Sequence, residues 1–378
     1  MTNTSLYLHL PFCVSKCAYC DFNSIVAEGD LPERYHRALL SEIARTGSYY
    51  HDRSFATVYF GGGTPTLYSP EHLCQLLAQV RRSYDLSPEA EISCEANPGT
   101  VTAAGLTTMR EAGFNRLSLG VQSLNDRELR LLGRGHDAAQ ARRAIADART
   151  AGFTNLSLDL INALPGQTVG QWEETLREAL TLRPQHLSCY GLSIEDHTPL
   201  AGLVAAGTLH PTDDETAINL YELTHSLCAA FDCEHYEVSN FALPGYRCRH
   251  NETYWRNEEY VGIGAGACSY LDGYRLKHDP DPAQWTERVL AGLPPTLVEK
   301  EALDDAQRAG ETLMLALRTA DGLDLAAFAE EFNVDPERFA IRLKALIESG
   351  LALPVEGRLV LDPVKGFLLQ SEVAQMFM

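Results

Sequence analysis

A ten-residue pattern occurs twice in the chain, 39 residues apart. Ala112-Gly113-Phe114-Asn115-Arg116-Leu117-Ser118-Leu119-Gly120-Val121 is matched by Ala151-Gly152-Phe153-Thr154-Asn155-Leu156-Ser157-Leu158-Asp159-Leu160. In each copy a helical stretch ends at glycine, where a left-handed residue closes the helix. An apolar run with the character of a strand buried on both faces starts a few residues later. A helix–glycine–strand unit repeated at this spacing is a β/α unit. Parallel strands joined by crossover helices are its economical packing.

The same alternation extends in both directions from the repeat. Residues 6–10 are strand-like, and residues 32–50 place Tyr35, Leu39, Leu40 and Ile43 on one helical face. Strand 57–60 stops at Gly61-Gly62-Gly63-Thr64-Pro65, and Ser69-Pro70-Glu71 caps a helix running to about 84. Strand 90–94 stops at Glu95-Ala96-Asn97-Pro98-Gly99, followed by a helix over 102–112. A helix over 169–182 and a strand over 186–194 complete a set of six strands. Two forms compete, a barrel-like sheet and an open doubly wound one. Polar residues stand at successive strand ends: Gly62-Gly63-Thr64, Glu95 with Asn97, Gln122, Asp159, and Tyr190 with Ser193. That distribution favours a barrel, which gathers its chemistry from many strand ends. An open sheet concentrates it at one crevice. We therefore expect a partial (β/α)6 TIM-like barrel.

After a helix over 213–231 the alternation fails. Residues 235–241 are strand-like, the region on through Tyr260–Cys268 is expected to cover or extend the barrel, and four prolines within 280–295 suggest a boundary. Beyond 300 the pattern gives a helix to about 318, helices near 323–332 and 336–349, a hairpin from 351–355 and 359–361, and a last helix over 366–376. This reads as a small α+β, winged-helix-like C-terminal domain. The expected division is a barrel over 1–232, an extension over 233–295 and the C-terminal domain over 296–378. Winged helices often bind DNA, yet residues 301–378 hold seven Lys or Arg against fourteen Asp or Glu. The whole chain carries a net charge of −20. Such a surface repels phosphate backbones, so no nucleic-acid partner is expected.

Between the first strand and the first helix lies Leu10-Pro11-Phe12-Cys13-Val14-Ser15-Lys16-Cys17-Ala18-Tyr19-Cys20-Asp21-Phe22. Three thiolates spaced C-x3-C-x2-C converge on one side of a metal centre. A tetrahedral structural zinc site needs a fourth protein ligand, which His9, Asp21 or a distant cysteine would have to supply. A [4Fe-4S] cluster accepts three thiolates and keeps one iron open for a small molecule. The chain has ten cysteines, no basic-then-apolar leader and no apolar run of about 18 residues. The expectation is a cytoplasmic protein with free thiols and no membrane span. Cys74, Cys94, Cys189, Cys228 and Cys233 read as small apolar residues. Gly262-x-Gly264-x-Gly266 lacks the strand–helix context of a dinucleotide loop.

Taken together, these residues resemble a known family. Cys13-x3-Cys17-x2-Cys20, with Tyr19 before the third cysteine, resembles the signature of radical S-adenosylmethionine (SAM) proteins. Gly61-Gly62-Gly63-Thr64-Pro65, Glu95-Ala96-Asn97-Pro98-Gly99, Gly120-Val121-Gln122-Ser123, Gly133-Arg134 and Asp159-Leu160-Ile161 continue the likeness, which extends to the C-terminal domain. The group is the oxygen-independent coproporphyrinogen oxidase family. Two features point to its HemW-type heme-chaperone branch. The oxidase pattern has a fourth cysteine where Phe22 stands, and His250-Asn251-x-x-Tyr254-Trp255 matches the HNxxYW motif of the chaperones.

The resemblance implies a [4Fe-4S] cluster on Cys13, Cys17 and Cys20 and a SAM site formed by Tyr7, Tyr19, Gly62, Gly63, Thr64, Glu95, Gln122, Arg134 and Asp159. Glycines let a backbone approach a ligand, Glu95 would accept from the SAM amine, and the Arg134 guanidinium would pair with its carboxylate. It also implies heme binding, with His250 as the nominated iron ligand and Tyr254 and Trp255 stacking on the macrocycle. Cys248 and Cys268 are alternative ligands, Cys268 standing where the family carries histidine. The implied function is heme transfer to respiratory proteins, with an electron donor for the cluster and peripheral membrane contact when a client is met. The alternative is SAM-dependent oxidative decarboxylation of coproporphyrinogen III. The resemblance leaves open whether SAM is cleaved.

Overall fold

In a computed structural model the described residues are 3–333 and 337–377. The first half alternates strand and helix: β1 Asn3–Leu10, α1 Leu31–Gly47, β2 Ser54–Gly62, α2 Pro70–Ser83, β3 Asp85–Ala96, α3 Ala103–Ala112, β4 Arg116–Gln122, α4 Asp126–Leu131, α5 Ala138–Thr150, β5 Leu156–Asn162, α6 Val169–Thr181 and β6 His186–Gly191. β1 to β6 lie side by side in chain order, and every neighbouring pair is parallel.

The repeat shows why these segments fold this way. Gly113 and Gly152 close their helices at φ +107° and +87°, a conformation that costs glycine nothing. In the strands that follow, Leu117, Leu119 and Val121, and Leu156, Leu158 and Leu160, are fully buried in the main apolar core. Each such side chain contributes about 1.5–3 kcal/mol by leaving water. Because side chains alternate, Ser118, Gly120 and Gln122, with Ser157 and Asp159, face the other way, into the barrel. One periodicity thus sets both the core and the lining of the site.

The sheet does not close. After α7 Pro199–Ala205 and α8 Asp214–Ala230, β7 Glu234–Glu237 and β8 Asn240–Ala242 extend it beyond β6 as antiparallel strands. α9 Arg249–Trp255 follows. β9 Tyr260–Ile263 then pairs parallel to β1, and β10 Cys268–Leu271, β11 Tyr274–His278 and β12 Leu297–Ala302 continue antiparallel. The result is one twelve-stranded sheet with the six parallel strands at its centre.

The proline-rich segment 280–295 does not separate two bodies. Pro282 sits in the first turn of α10 Pro282–Leu290, capped by Asp281, a position that tolerates proline because the missing N–H would be unpaired anyway. Trp285 of α10 is buried against Tyr35 of α1, ring centroids 4.7 Å apart. The main sheet therefore runs on to Ala302.

The C-terminal part has α11 Asp305–Ala316, β13 Leu323–Asp324, α12 Leu325–Phe332, α13 Glu337–Glu348, β14 Ala352–Leu353 and β15 Arg358–Leu361. Its three strands pair antiparallel in the order β13-β15-β14, over a core that includes Leu313, Leu317, Leu346, Leu359 and Phe367. Pro336, the expected start of one helix, lies outside the described residues. The last helix, expected over 366–376, is two short ones, Lys365–Leu368 and Gln370–Gln375, broken at Leu369. No helix among the described residues is long and apolar enough to cross a membrane.

Candidate active site at the C-terminal ends of the barrel strands

A cavity of about 510 Å³ opens at the C-terminal ends of the parallel strands. Its walls come from the loop after β1 (Cys13, Cys17, Tyr19, Cys20, Phe22), the end of β2 (Gly62, Gly63, Thr64), β3 (Glu95, Asn97), β4 (Ser118, Gly120, Gln122) with Arg134, β5 (Asp159, Ile161), and the segment from Tyr190 to Glu195.

Backbone hydrogen bonds fix the cysteine loop. Gly63 N–H donates to Leu10 O at 2.9 Å and Thr64 N–H to Phe12 O at 2.8 Å. A Cβ on Gly63 would meet the Phe12 main chain at 2.7–2.9 Å, so only glycine permits this approach. On the other side, Ala18 N–H donates to Leu132 O at 3.1 Å beside Gly133, whose φ is +69°. Each of two sulfurs receives a donor: Thr64 Oγ1 lies 3.7 Å from Cys13 Sγ and Arg134 Nη1 lies 3.3 Å from Cys17 Sγ. Donors aimed at sulfur suit thiolates that ligate iron.

The donor set fits a cluster better than zinc. A structural zinc site needs a fourth protein ligand, whereas a cluster accepts three thiolates. His9 is committed elsewhere, with Nδ1 bonded to Tyr7 Oη at 2.9 Å and Nε2 to Asn23 O at 2.9 Å.

The opposite wall carries acidic groups. Glu95 accepts from Tyr59 Oη at 2.9 Å and from Gly62 N–H at 3.2 Å. Burial pushes its carboxyl up to about 7, against the lowering effect of the Tyr59 hydrogen bond. Asp159 is also raised by burial, while Ser118 Oγ donates to both of its oxygens at 3.0 and 3.1 Å. Between them Gln122 adopts a left-handed φ of +65° where the β4–β5 register shifts, an unusual conformation for a non-glycine. Arg134 Nη2 donates to Gly120 O at 2.8 Å, and its Nε is buried without a partner among the described residues. A carboxylate and a guanidinium on the walls of one cavity fit a zwitterionic amino acid beside a cluster.

Most residues expected at the SAM site therefore surround one cavity: Tyr19, Gly62, Gly63, Thr64, Glu95, Gln122, Arg134 and Asp159. Tyr7 is not on its wall; it stacks beneath, 6.2 Å from the Tyr59 ring. Sequence reasoning missed His136, which is not on the cavity wall but directly follows Gly135, which is. Its Nε2–H donates to Val121 O at 3.1 Å, its Nδ1 lies 3.1 Å from Asn97 Oδ1, and burial holds it down to about 4. It also missed Ser118, whose signal was a hydroxyl in the inward phase of a buried strand.

His250, Tyr254 and Trp255 stand elsewhere. α9 plugs the N-terminal end of the barrel: His250 N–H donates to Glu91 Oε1 at 3.3 Å, and Thr253 Oγ1 lies 2.7 Å from Ser5 Oγ. A chain of hydroxyls sets the His250 tautomer. Thr57 donates to Ser5, so Thr57 accepts from His250 Nδ1–H at 2.7 Å, and Tyr254 Oη donates to Nε2 at 2.9 Å. The imidazole is 1% exposed, stacks 4.9 Å from the Tyr59 ring, and is held down to about 3 by burial. Trp255 alone reaches a cavity, a second one of about 250 Å³ between α9 and the C-terminal part. Arg318 lies 4.5 Å over its ring. Cys248 is fully buried, its thiol pushed up to about 12, whereas Cys268 is exposed.

The fold and the three-thiol cavity define a protein of the radical SAM class. Residues 7–179 match the Radical SAM superfamily and residues 303–368 the HemN C-terminal domain. The chain is 34% identical to the heme chaperone HemW of Lactococcus lactis, over 99% of this chain and 97% of that protein. It is 36% identical to HemW of Bacillus subtilis over 99% of both, and 42% identical to HemW of Escherichia coli over 72% of both. Its structure is similar to that of the Escherichia coli radical SAM enzyme coproporphyrinogen III oxidase, with a TM-score of 0.84 at 25% identity, covering 100% of this chain and 90% of that one. The chain belongs to the HemW heme chaperone family.

Proposed function

We propose that this protein is a radical SAM-type heme chaperone: it binds heme and passes it to respiratory proteins, and it carries a [4Fe-4S] cluster and SAM. The observation that carries this reading over the oxidase is Phe22. It is 66% exposed on the cavity wall, at the place where the oxidase pattern has a fourth cysteine. The HemW relatives over nearly the whole chain support the same choice.

Cys13, Cys17 and Cys20 would hold the cluster, with Thr64 and Arg134 donating to two of the sulfurs. Bound there, a cluster would supply one-electron reducing chemistry beside the SAM site. Glu95 would accept from the SAM amine, Arg134 would meet its carboxylate, and Gly62 and Gly63 would form the wall beside them. Gln122, Asp159 and Tyr19 would line the remainder of that site. His250 as iron ligand would require opening its bonds to Thr57 and Tyr254. Cys268 reaches solvent without any such change. An electron donor and a respiratory client complete the proposal, which places the protein in the cytoplasm with peripheral contact at the membrane.

The test is one anaerobic, cluster-loaded preparation titrated with heme by absorbance and assayed with coproporphyrinogen III and a reductant. Saturable heme binding without product supports the chaperone. Product without heme binding supports the oxidase instead.

A further inference from the structure

We propose a second metal site, for one divalent transition-metal ion of the zinc class, formed by Glu33, His36 and His72 between α1 and α2. One donor atom from each of these side chains lies within 4.8 Å of the other two. His72 Nε2 is 3.4 Å from Glu33 Oε2, close to the ligand–ligand edge of about 3.3 Å that a tetrahedral ion with 2.0–2.1 Å bonds requires.

The backbone delivers the set. Glu33 and His36 are one turn apart on α1 and share a face. His72 lies in the first turn of α2, where Ser69 caps the helix by accepting from the His72 N–H at 3.3 Å. The two imidazole rings sit 4.4 Å apart.

His36 is prepared as a ligand. It is 2% exposed, and its Nε2–H donates to the His72 main-chain oxygen at 3.2 Å. That bond leaves the lone pair on Nδ1 and fixes the ring, the arrangement in which ligating histidines commonly use their second nitrogen. Two imidazoles and a carboxylate select zinc, nickel, copper or cobalt over magnesium or calcium. With three protein ligands the ion keeps an open or water-filled position. None of the three residues reaches the barrel cavity, so the site is independent of the cluster and of the chaperone reading.

The experiment must silence the cluster thiols. Co2+ is titrated anaerobically into the full chain carrying Cys13→Ser, Cys17→Ser and Cys20→Ser, and Zn2+ is titrated by calorimetry into the cluster-loaded protein. The expected result is one saturable site with cobalt ligand-field bands and no thiolate charge-transfer band. Glu33→Gln and His72→Ala, both at solvent-reached positions, should each weaken binding by about tenfold or more. Neither should change the iron content of the cluster-loaded protein. Absence of a saturable site, a thiolate band, or unchanged affinity in the Glu33→Gln/His72→Ala double variant would overturn the proposal.

Discussion

Glu95 offers a quantitative handle on the SAM site. Its carboxyl titrates at about 7, mainly because burial disfavours the charged form. A protonated Glu95 cannot accept strongly from the SAM amine, so only the ionised fraction binds well. With a pKa of about 7, that fraction is about nine-tenths at pH 8 and about one-tenth at pH 6. SAM affinity of the cluster-loaded protein should therefore fall about tenfold from pH 8 to pH 6. The folded pKa is raised above the usual carboxylate value. The same group therefore contributes stability at low pH that is lost as pH rises through about 7, opposite in sense to its effect on the ligand. Glu95→Gln should bind SAM weakly at every pH, with the slope between pH 6 and 8 removed. Equilibrium dialysis with labelled SAM at the two pH values measures it. An equal slope in Glu95→Gln, or no slope in the wild type, would refute this role for Glu95.

Five other single substitutions probe the site and its frame. Gly63→Ala would place a methyl group within 2.7–2.9 Å of the Phe12 main chain, where no flexible side chain can give way. Iron and sulfide analysis should show that it loads cluster poorly. Singly changing Cys13, Cys17 or Cys20 to Ser should abolish stable cluster loading; full iron content in all three variants would place the ligands elsewhere. His250→Ala removes the two side-chain hydrogen bonds of a buried ring and leaves a cavity. The expected loss is about 2–4 kcal/mol of stability in denaturant unfolding, and a loss under about 0.5 kcal/mol would contradict the plug assigned to α9.

Much of this arrangement is legible in the sequence because it is periodic. Gly113 and Gly152 mark helix ends, and the two-residue alternation from Leu117 to Gln122 separates core from site without any coordinates. Three thiols close in sequence are also read directly. What depends on packing between distant segments is not. Nothing local says that His250 turns inward to Thr57 and Tyr254, since a histidine in an aromatic motif reads equally well as a ligand. The prolines of 280–295 look like a linker because proline breaks most helices, yet Pro282 sits where a helix accepts it. The strands flanking the six parallel ones are short and irregular, so their joining one sheet is set by pairing partners far away in the chain.

The central claim rests on heme handling, and one measurement reaches it most directly: heme titrated into anaerobic, cluster-loaded protein, with coproporphyrinogen III turnover followed in the same preparation. The account predicts saturable heme binding, with bound heme released to an acceptor apoprotein and no protoporphyrinogen formed. Efficient turnover of coproporphyrinogen III by protein that does not retain heme would contradict it.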